Sequence, residues 1–249
     1  MDVKTSGSGD PEIAVVGAVH GDEPCGAEAI ERVRTAETGL ERPTKFIVAN
    51  EEALQQDVRY VDVDLNRVLP GNRDAEDHER RIAARLCEEV EECITLGIHS
   101  TQSYDERFSV LSNPSDEKRK ILRRMNVERA VDTTGLSEGR CVDRPRFVDV
   151  EVGPQGTDQA VAQAEECVRS FLRTVGALPG DPRASPTDYY KVTDIEEKEP
   201  GGTYEFLPRN FTEVETGDVY ATKDGRKLRA EERFWPILAS GDGHEKILG

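Results

Sequence analysis

Residues 15–26 read VVGAVHGDEPCG, an apolar run that ends in a histidine, a glycine and two acids just before a helical pattern opens. A His-x-x-Glu pair at the mouth of such a turn brings an imidazole and a carboxylate, His20 and Glu23, to one side of the backbone. A second histidine, His99, closes another apolar run, TLGIHS at 95–100. Two histidines and one carboxylate, with a fourth position left to water, are the donor set of a catalytic zinc site, whereas structural zinc usually takes four ligands rich in cysteine. Taken alone, His-x-x-Glu is a frequent accident. Two further stretches change its weight. Glu151, in VEVGPQG at 150–156, lies near the end of an apolar run, where a carboxylate facing a pocket can act as general base toward metal-bound water. RYVDVDLNR at 59–67 sets Arg59, Asn66 and Arg67 beside one another. The plain alternatives are a satisfied buried acid at Glu151 and a surface ion pair between Asp64 and Arg67.

These residues need a scaffold that gathers strand ends. Apolar runs at 12–19, 45–50, 95–100, 108–113 and 146–152 read as strands, and 23–37, 74–94, 116–126 and 157–178 as helices, the last closed by Pro179-Gly180. The alternation predicts an α/β fold, a mostly parallel mixed sheet with helices on both faces. In an open α/β sheet, ligands collect at the carboxyl ends of strands, where His20, Glu23 and His99 fall. Past the DPRASP stretch at 181–186, short strand runs are divided by Pro-Gly-Gly, Thr-Gly-Asp and Asp-Gly turns. We therefore expect a catalytic domain over 1–180 and a small β-rich C-terminal domain over 181–249.

Composition sets the surroundings. Five cysteines without Cys-x-x-Cys spacing argue against a disulfide framework and against a thiolate metal cluster. The first ten residues have no signal-peptide core, and no segment approaches ~18 consecutive apolar residues. A cytoplasmic protein without membrane partners is expected. With 50 acids against 33 bases the net charge is −17, and only nine of the 33 bases are lysines. Such a surface repels nucleic acid. Its self-repulsion is screened at high ionic strength, and the composition is similar to that of haloarchaeal proteins.

HGDEPCG, RYVDVDLNR, GIHS and VEVGPQG, in that order across about residues 12–178, resemble the motifs of the aspartoacylase and succinylglutamate desuccinylase family, a branch of the zinc carboxypeptidase-like enzymes. The resemblance implies one zinc per chain held by His20, Glu23 and His99, with Glu151 as general base and later acid. Arg59 would polarise the scissile carbonyl, and Asn66 and Arg67 would grip the carboxylate of the amino-acid half. A further arginine ahead of VEVGPQ would bind a second carboxylate; Arg140 is the nearest match, offset by one residue, with Arg144 and Arg146 as rivals. The implied partner is a small-molecule N-acyl amino acid, of the N-acylaspartate or N-succinylglutamate type, cleaved to a carboxylic acid and a free amino acid. A carboxypeptidase-like peptide hydrolase and a non-enzymatic zinc or metabolite binder are the alternatives, and homo-oligomerisation is left open.

The chain departs from the family pattern at three places. Aspartoacylases carry an acid two positions before the third zinc ligand, where this chain has Gly97, so the partner of that ligand is absent or comes from elsewhere. His244 stands about where the family offers a substrate-contacting tyrosine, and we expect it to bind substrate. Leu136 occupies the approximate place of another tyrosine. Asp22 is expected to be structural or to support a ligand, Cys25 to pack within its helix, and His78 to be a solvated side chain.

Overall fold

The computed structural model describes all residues except Thr38, Ser137, Arg183, residues 242–246 and Gly249. Strand and helix alternate as β1 (Asp2–Ser6), β2 (Ile13–Gly17), α1 (Cys25–Ala36), β3 (Thr44–Val48), α2 (Glu51–Gln56), α3 (His78–Val90), β4 (Ile94–Thr101), β5 (Phe108–Leu111), α4 (Asp116–Arg124), β6 (Arg129–Asp132), β7 (Phe147–Pro154), α5 (Asp158–Thr174) and β8 (Asp188–Lys191). Three further strands follow: β9 (Tyr204–Phe206), β10 (Val219–Lys223) and β11 (Arg226–Arg229). The first eight strands form one sheet in the order β1-β3-β2-β4-β7-β5-β6-β8. β2 runs parallel to β3 and β4, and β6 to β5 and β8, whereas β1 against β3 and β5 against β7 are antiparallel. The mostly parallel mixed sheet expected from the alternation is present.

Period-two alternation divides the central strands between two faces. Ile13 and Val15 of β2 join Leu96 and Ile98 of β4 and Val148, Val150 and Val152 of β7 in the core covered by α1, α4 and α5. Ala14 and Val16 turn the other way, into a second core with Ile82, Ala83 and Leu86 of α3. Gly97 and His99 on β4, and Asp149 and Glu151 on β7, occupy the alternate positions of their strands. A one-residue slip would drive these polar groups into the first core and take out of it valines worth roughly 1.5–3 kcal/mol each when buried. The register that builds the core therefore also sets which face carries the chemistry.

Five elements depart from the sequence pattern. β1 lies in the polar, Gly/Ser-rich opening and exists because its backbone pairs with β3 from Asp2↔Val48 to Ser6↔Thr44. α2 and β6 are too short to show a period. β8 lies beyond the expected 180/181 boundary, yet it pairs in parallel with β6 and belongs to the main sheet. The helix expected from residue 74 starts at His78, whose backbone N–H donates to Asp62 Oδ2 at 2.7 Å and so finds a partner for an end otherwise unsatisfied.

By contacts the chain divides into one unit of Met1–Ser100 with Glu106–Lys191 and another of Thr101–Asp105 with Val192–Gly249. In the second unit β9, β10 and β11 form an antiparallel sheet. Asp224 (φ 50°) and Gly225 (φ 79°) make the β10–β11 turn with positive φ at both central positions, as an Asp-Gly hairpin does.

Among the described residues only Glu23, Glu79 and Asp149 are buried acids, so almost all of the −17 charge sits at the surface. The melting temperature should consequently rise between dilute buffer and molar KCl, where the Debye length falls to ~3 Å. A flat response would overturn the halophilic expectation. No helix of the described residues is long and apolar enough to cross a membrane.

Candidate active site

β2 ends at Gly17, and the chain turns at Ala18, whose φ of 50° is uncommon for a residue with a side chain. Asn50 N–H donates to Ala18 O at 2.9 Å, tying this turn to the start of α2. Gly21 then lies hard against α2, since a Cβ there would stand 2.1 Å from the carbonyl carbon of Ala53. Only glycine lets the His-Gly-Asp-Glu turn sit this deep, and His20 and Glu23 are left 3% and 4% exposed.

His20, Glu23 and His99 meet. Their ligand atoms all lie within 4.8 Å of one another. His20 Nδ1 faces Glu23 Oε1 at 2.7 Å, and His99 Nδ1 faces Glu23 Oε2 at 3.0 Å. Each ring turns its other nitrogen toward a second carboxylate: His20 Nε2 stands 3.1 Å from Asp64 Oδ1, and His99 Nε2 stands 3.6 Å from Asp149 Oδ1. Burial alone would favour the neutral forms of all three. Instead the imidazoles of His99 and His20 hold the Glu23 carboxyl well below the usual range. Glu23 and Asp64 likewise outweigh burial and raise the pKa of His20, while Asp149 and Glu23 raise that of His99. Asp64 is held low against burial, chiefly by His20 and Arg59. The surroundings thus favour positive charge at the point where the three side chains meet. A divalent ion can supply that charge, displacing the protons as metals do. Two imidazole Nδ1 atoms and a carboxylate, each imidazole backed by a carboxylate, fit zinc by donor type and by outer-shell support.

Glu151 Oε2 is buried and, among the described residues, has no hydrogen-bond partner. Burial is the main cause that pushes its pKa up to about 7, with Glu23 and Asp149 adding repulsion and His99 opposing. An acid near neutrality with an unoccupied oxygen can both accept and return a proton.

The 59–67 loop is set by Glu79, which no sequence motif announced. Its carboxylate accepts from the backbone N–H groups of Val61, Asp62 and Val63 at 2.7, 3.0 and 3.1 Å and from Asn50 Nδ2 at 3.0 Å. The readable signal was its place on the buried stripe of α3 with Ile82, Ala83 and Leu86, where an acid is out of character. Arg59 donates NH1 to Glu23 Oε1 at 3.3 Å and NH2 to Asp64 Oδ2 at 3.2 Å. Asp64, beyond pairing with arginine, thus joins Arg59 to His20. Asn66 Oδ1 accepts from Cys141 N–H at 2.8 Å, which ties the 59–67 loop to the segment carrying Arg140. Arg67 is exposed, with NH1 bonded to Asn66 O at 2.7 Å. Partial desolvation lowers its pKa, Arg59 and Arg140 lower it further, and Asp64 opposes.

The three candidate arginines separate. Arg140 is buried and its NH2 donates to Thr133 O at 3.2 Å and Asp143 Oδ1 at 3.3 Å, close enough to Arg67 for their charges to interact. Arg146 instead reaches Glu92 O and Glu117, while Arg144 interacts with Cys87 of α3. His244 lies outside the described residues. Cys25 is buried in the first core, and burial pushes its thiol up to about 11, so it stays protonated as a packing residue. His78 is not simply solvated: its ring lies 3.3 Å from both Asn50 Oδ1 and Glu52 Oε2. Asp22 O accepts from Gln155 Nε2 at 2.7 Å, linking the HGDE turn to the segment after Glu151.

A family model described as the succinylglutamate desuccinylase/aspartoacylase catalytic domain matches residues 9–175, which include His20, Glu23, His99 and Glu151. The chain belongs to this family. Its members are deacylating hydrolases. Among solved structures, the product-bound ectoine utilization protein EutE (DoeB) from Ruegeria pomeroyi is similar over 98% of this chain and 85% of that one, with 19% identity and a TM-score of 0.81. A succinylglutamate desuccinylase from Silicibacter sp. covers 99% and 85% at 20% identity and a TM-score of 0.80. A succinylglutamate desuccinylase/aspartoacylase from Rhodobacter sphaeroides covers 99% and 87% at 18% identity and a TM-score of 0.80. At these identities the likeness is one of fold. No curated protein matches the chain in sequence.

Proposed function

We propose that the chain is a zinc-dependent amidohydrolase that cleaves the amide bond of N-acyl amino acids with acidic amino-acid halves. The observation that carries this reading is the meeting of His20, Glu23 and His99 beside the partnerless carboxylate oxygen of Glu151. Zinc bound by these three residues supplies a Lewis acid for the amide carbonyl and brings the pKa of a bound water toward ~7. Glu151 takes a proton from the attacking water and returns it to the leaving nitrogen; a pKa of about 7 suits both steps near neutral pH. Arg59, anchored on Glu23 and Asp64, stabilises the negative charge that grows on the carbonyl oxygen. Asn66, its Oδ1 committed to Cys141 N–H, presents its NH2 group with Arg67 to one substrate carboxylate, and Arg140 serves the second. Arginine suits this task because its planar fork meets a carboxylate in two parallel hydrogen bonds.

Metal analysis and a substrate panel test the reading. The wild-type chain should carry one zinc and release a primary amine from N-acyl amino acids while leaving peptides intact. His99→Ala leaves two protein ligands, so zinc should be lost while circular dichroism keeps the α/β signature. Undiminished zinc in His99→Ala would overturn the ligand assignment, and cleavage of peptides in preference to acylamino acids would turn the function toward a carboxypeptidase.

A further inference from the structure

The two histidines of the cluster are arranged alike. His20 gives Nδ1 to Glu23 and Nε2 to Asp64, and His99 gives Nδ1 to Glu23 and Nε2 to Asp149. The His99–Asp149 side has two further features. Both His99 Nε2 and Asp149 Oδ1 are buried, and among the described residues neither has a hydrogen-bond partner, so the two unmet atoms face each other across 3.6 Å. Buried polar atoms in native proteins are satisfied, and an unmet pair this close marks a contact that closes by a small movement. The second feature is Gly97, two residues before His99 and on the same face of β4. A Cβ at Gly97 would stand 1.8 Å from Asp149 Oδ1 and 2.8 Å from Phe147 Cε1, so the Asp149 carboxylate fills the space that any side chain at 97 would take. Lys118, the buried cation nearby, donates to the main-chain oxygens of Ser112 at 2.8 Å and Val142 at 3.0 Å.

We propose that Asp149 is the positioning residue for His99, reaching it from β7 through the gap left by Gly97, so that glycine at 97 and aspartate at 149 act as one complementary pair. The inference rests on the zinc reading above. Accepting the Nε2 proton fixes His99 as the tautomer whose Nδ1 lone pair is turned toward Glu23, the state a metal requires. It also stops the ring from rotating. Asp64 does the same for His20, so each imidazole has its own carboxylate, one from the 59–67 loop and one from the neighbouring strand. Removing such an outer partner typically weakens metal binding 10–100-fold without removing a ligand.

The experiment measures zinc affinity by chelator competition, on full-length folded protein, for wild type, Asp149→Ala, Asp149→Asn and the exchange Gly97→Asp/Asp149→Gly. Asp149→Ala should bind zinc about 10–100-fold more weakly than wild type. The isosteric Asp149→Asn keeps the volume, covers the case in which the alanine variant does not fold, and should fall in the same direction. The exchange returns a carboxylate to the same space from β4 and should recover most of the lost affinity. Nitrogen-15 spectra of labelled histidine should show a single His99 tautomer, protonated at Nε2, in zinc-loaded wild type and in the exchange variant, and a mixture in Asp149→Ala. Wild-type affinity and a single tautomer in folded Asp149→Ala or Asp149→Asn would overturn the role of Asp149 while leaving the zinc reading intact. An exchange variant that folds but binds as weakly as Asp149→Ala would overturn the complementary pair. Wild-type protein without zinc would overturn the zinc reading and this inference together.

Discussion

Exchanging Glu151 for Gln should leave the fold and the zinc in place and lower turnover by roughly 10²–10⁴-fold, the usual share of a positioned acid-base group. The expectation follows from where the side chain stands. Its Oε2 is buried without a partner, so glutamine fits the same volume and breaks no described bond at that atom. Burial, with Glu23 and Asp149 close by, places the Glu151 pKa at about 7, and an uncharged amide of the same shape loses the proton-accepting function without opening a cavity. Metal content and melting temperature measured beside kcat separate this outcome from loss of the site. A variant that keeps its zinc and turns over at near-normal rate would end the proposed mechanism.

Acidic acylamino acids should outpace neutral ones by orders of magnitude in kcat/KM, approaching ~10⁴-fold, the discrimination reached when a site built for polar groups meets a substrate that lacks them. N-acetylaspartate and N-succinylglutamate are the test substrates, with N-acetylalanine and N-acetylleucine as their neutral counterparts. The physical basis is the group formed by Arg59, Arg67 and Arg140, in which Arg67 is destabilised as a cation by desolvation and by both neighbours. A substrate carboxylate relieves that repulsion, and a neutral side chain leaves it in place. Arg140→Gln should narrow the gap mainly by slowing the diacid, because Arg140 is buried and its charge acts on Arg67. If a neutral or basic acylamino acid proves the best substrate, or Arg140→Gln leaves the preference untouched, the second-carboxylate assignment is wrong while the hydrolase reading stands.

Sequence by itself determined the features that depend on local spacing. His20 and Glu23 are three residues apart at a strand end, so a single turn is enough to bring the two side chains to one side of the backbone. The alternating elements were legible because valine-rich runs and amphipathic helices leave their periods in the sequence, and the Asp-Gly hairpin at 224–225 was legible because φ > 0 at both positions restricts the choice of residues.

Tertiary structure decided what depends on register and on distant partners. The Asp149 partner of His99 was hidden because its only local trace is an acid two residues before Glu151, and its meaning appears once β7 lies beside β4 with Gly97 opposite. The place of Glu79 on the apolar stripe of α3 marks it as buried but not what it binds; the fold set it against three backbone N–H groups of the 59–67 loop. Arg140 was the nearest match in sequence, with Arg144 and Arg146 as rivals; the Cys141–Asn66 hydrogen bond is what ties its segment to the loop carrying Arg67. β1 and β8 joined the sheet through backbone pairing, which draws little on side-chain pattern. In each case the deciding contact is a hydrogen bond, or the volume filled by a neighbouring chain segment, between residues far apart in sequence. Local composition records the donor or the acceptor, but only folding brings the two together.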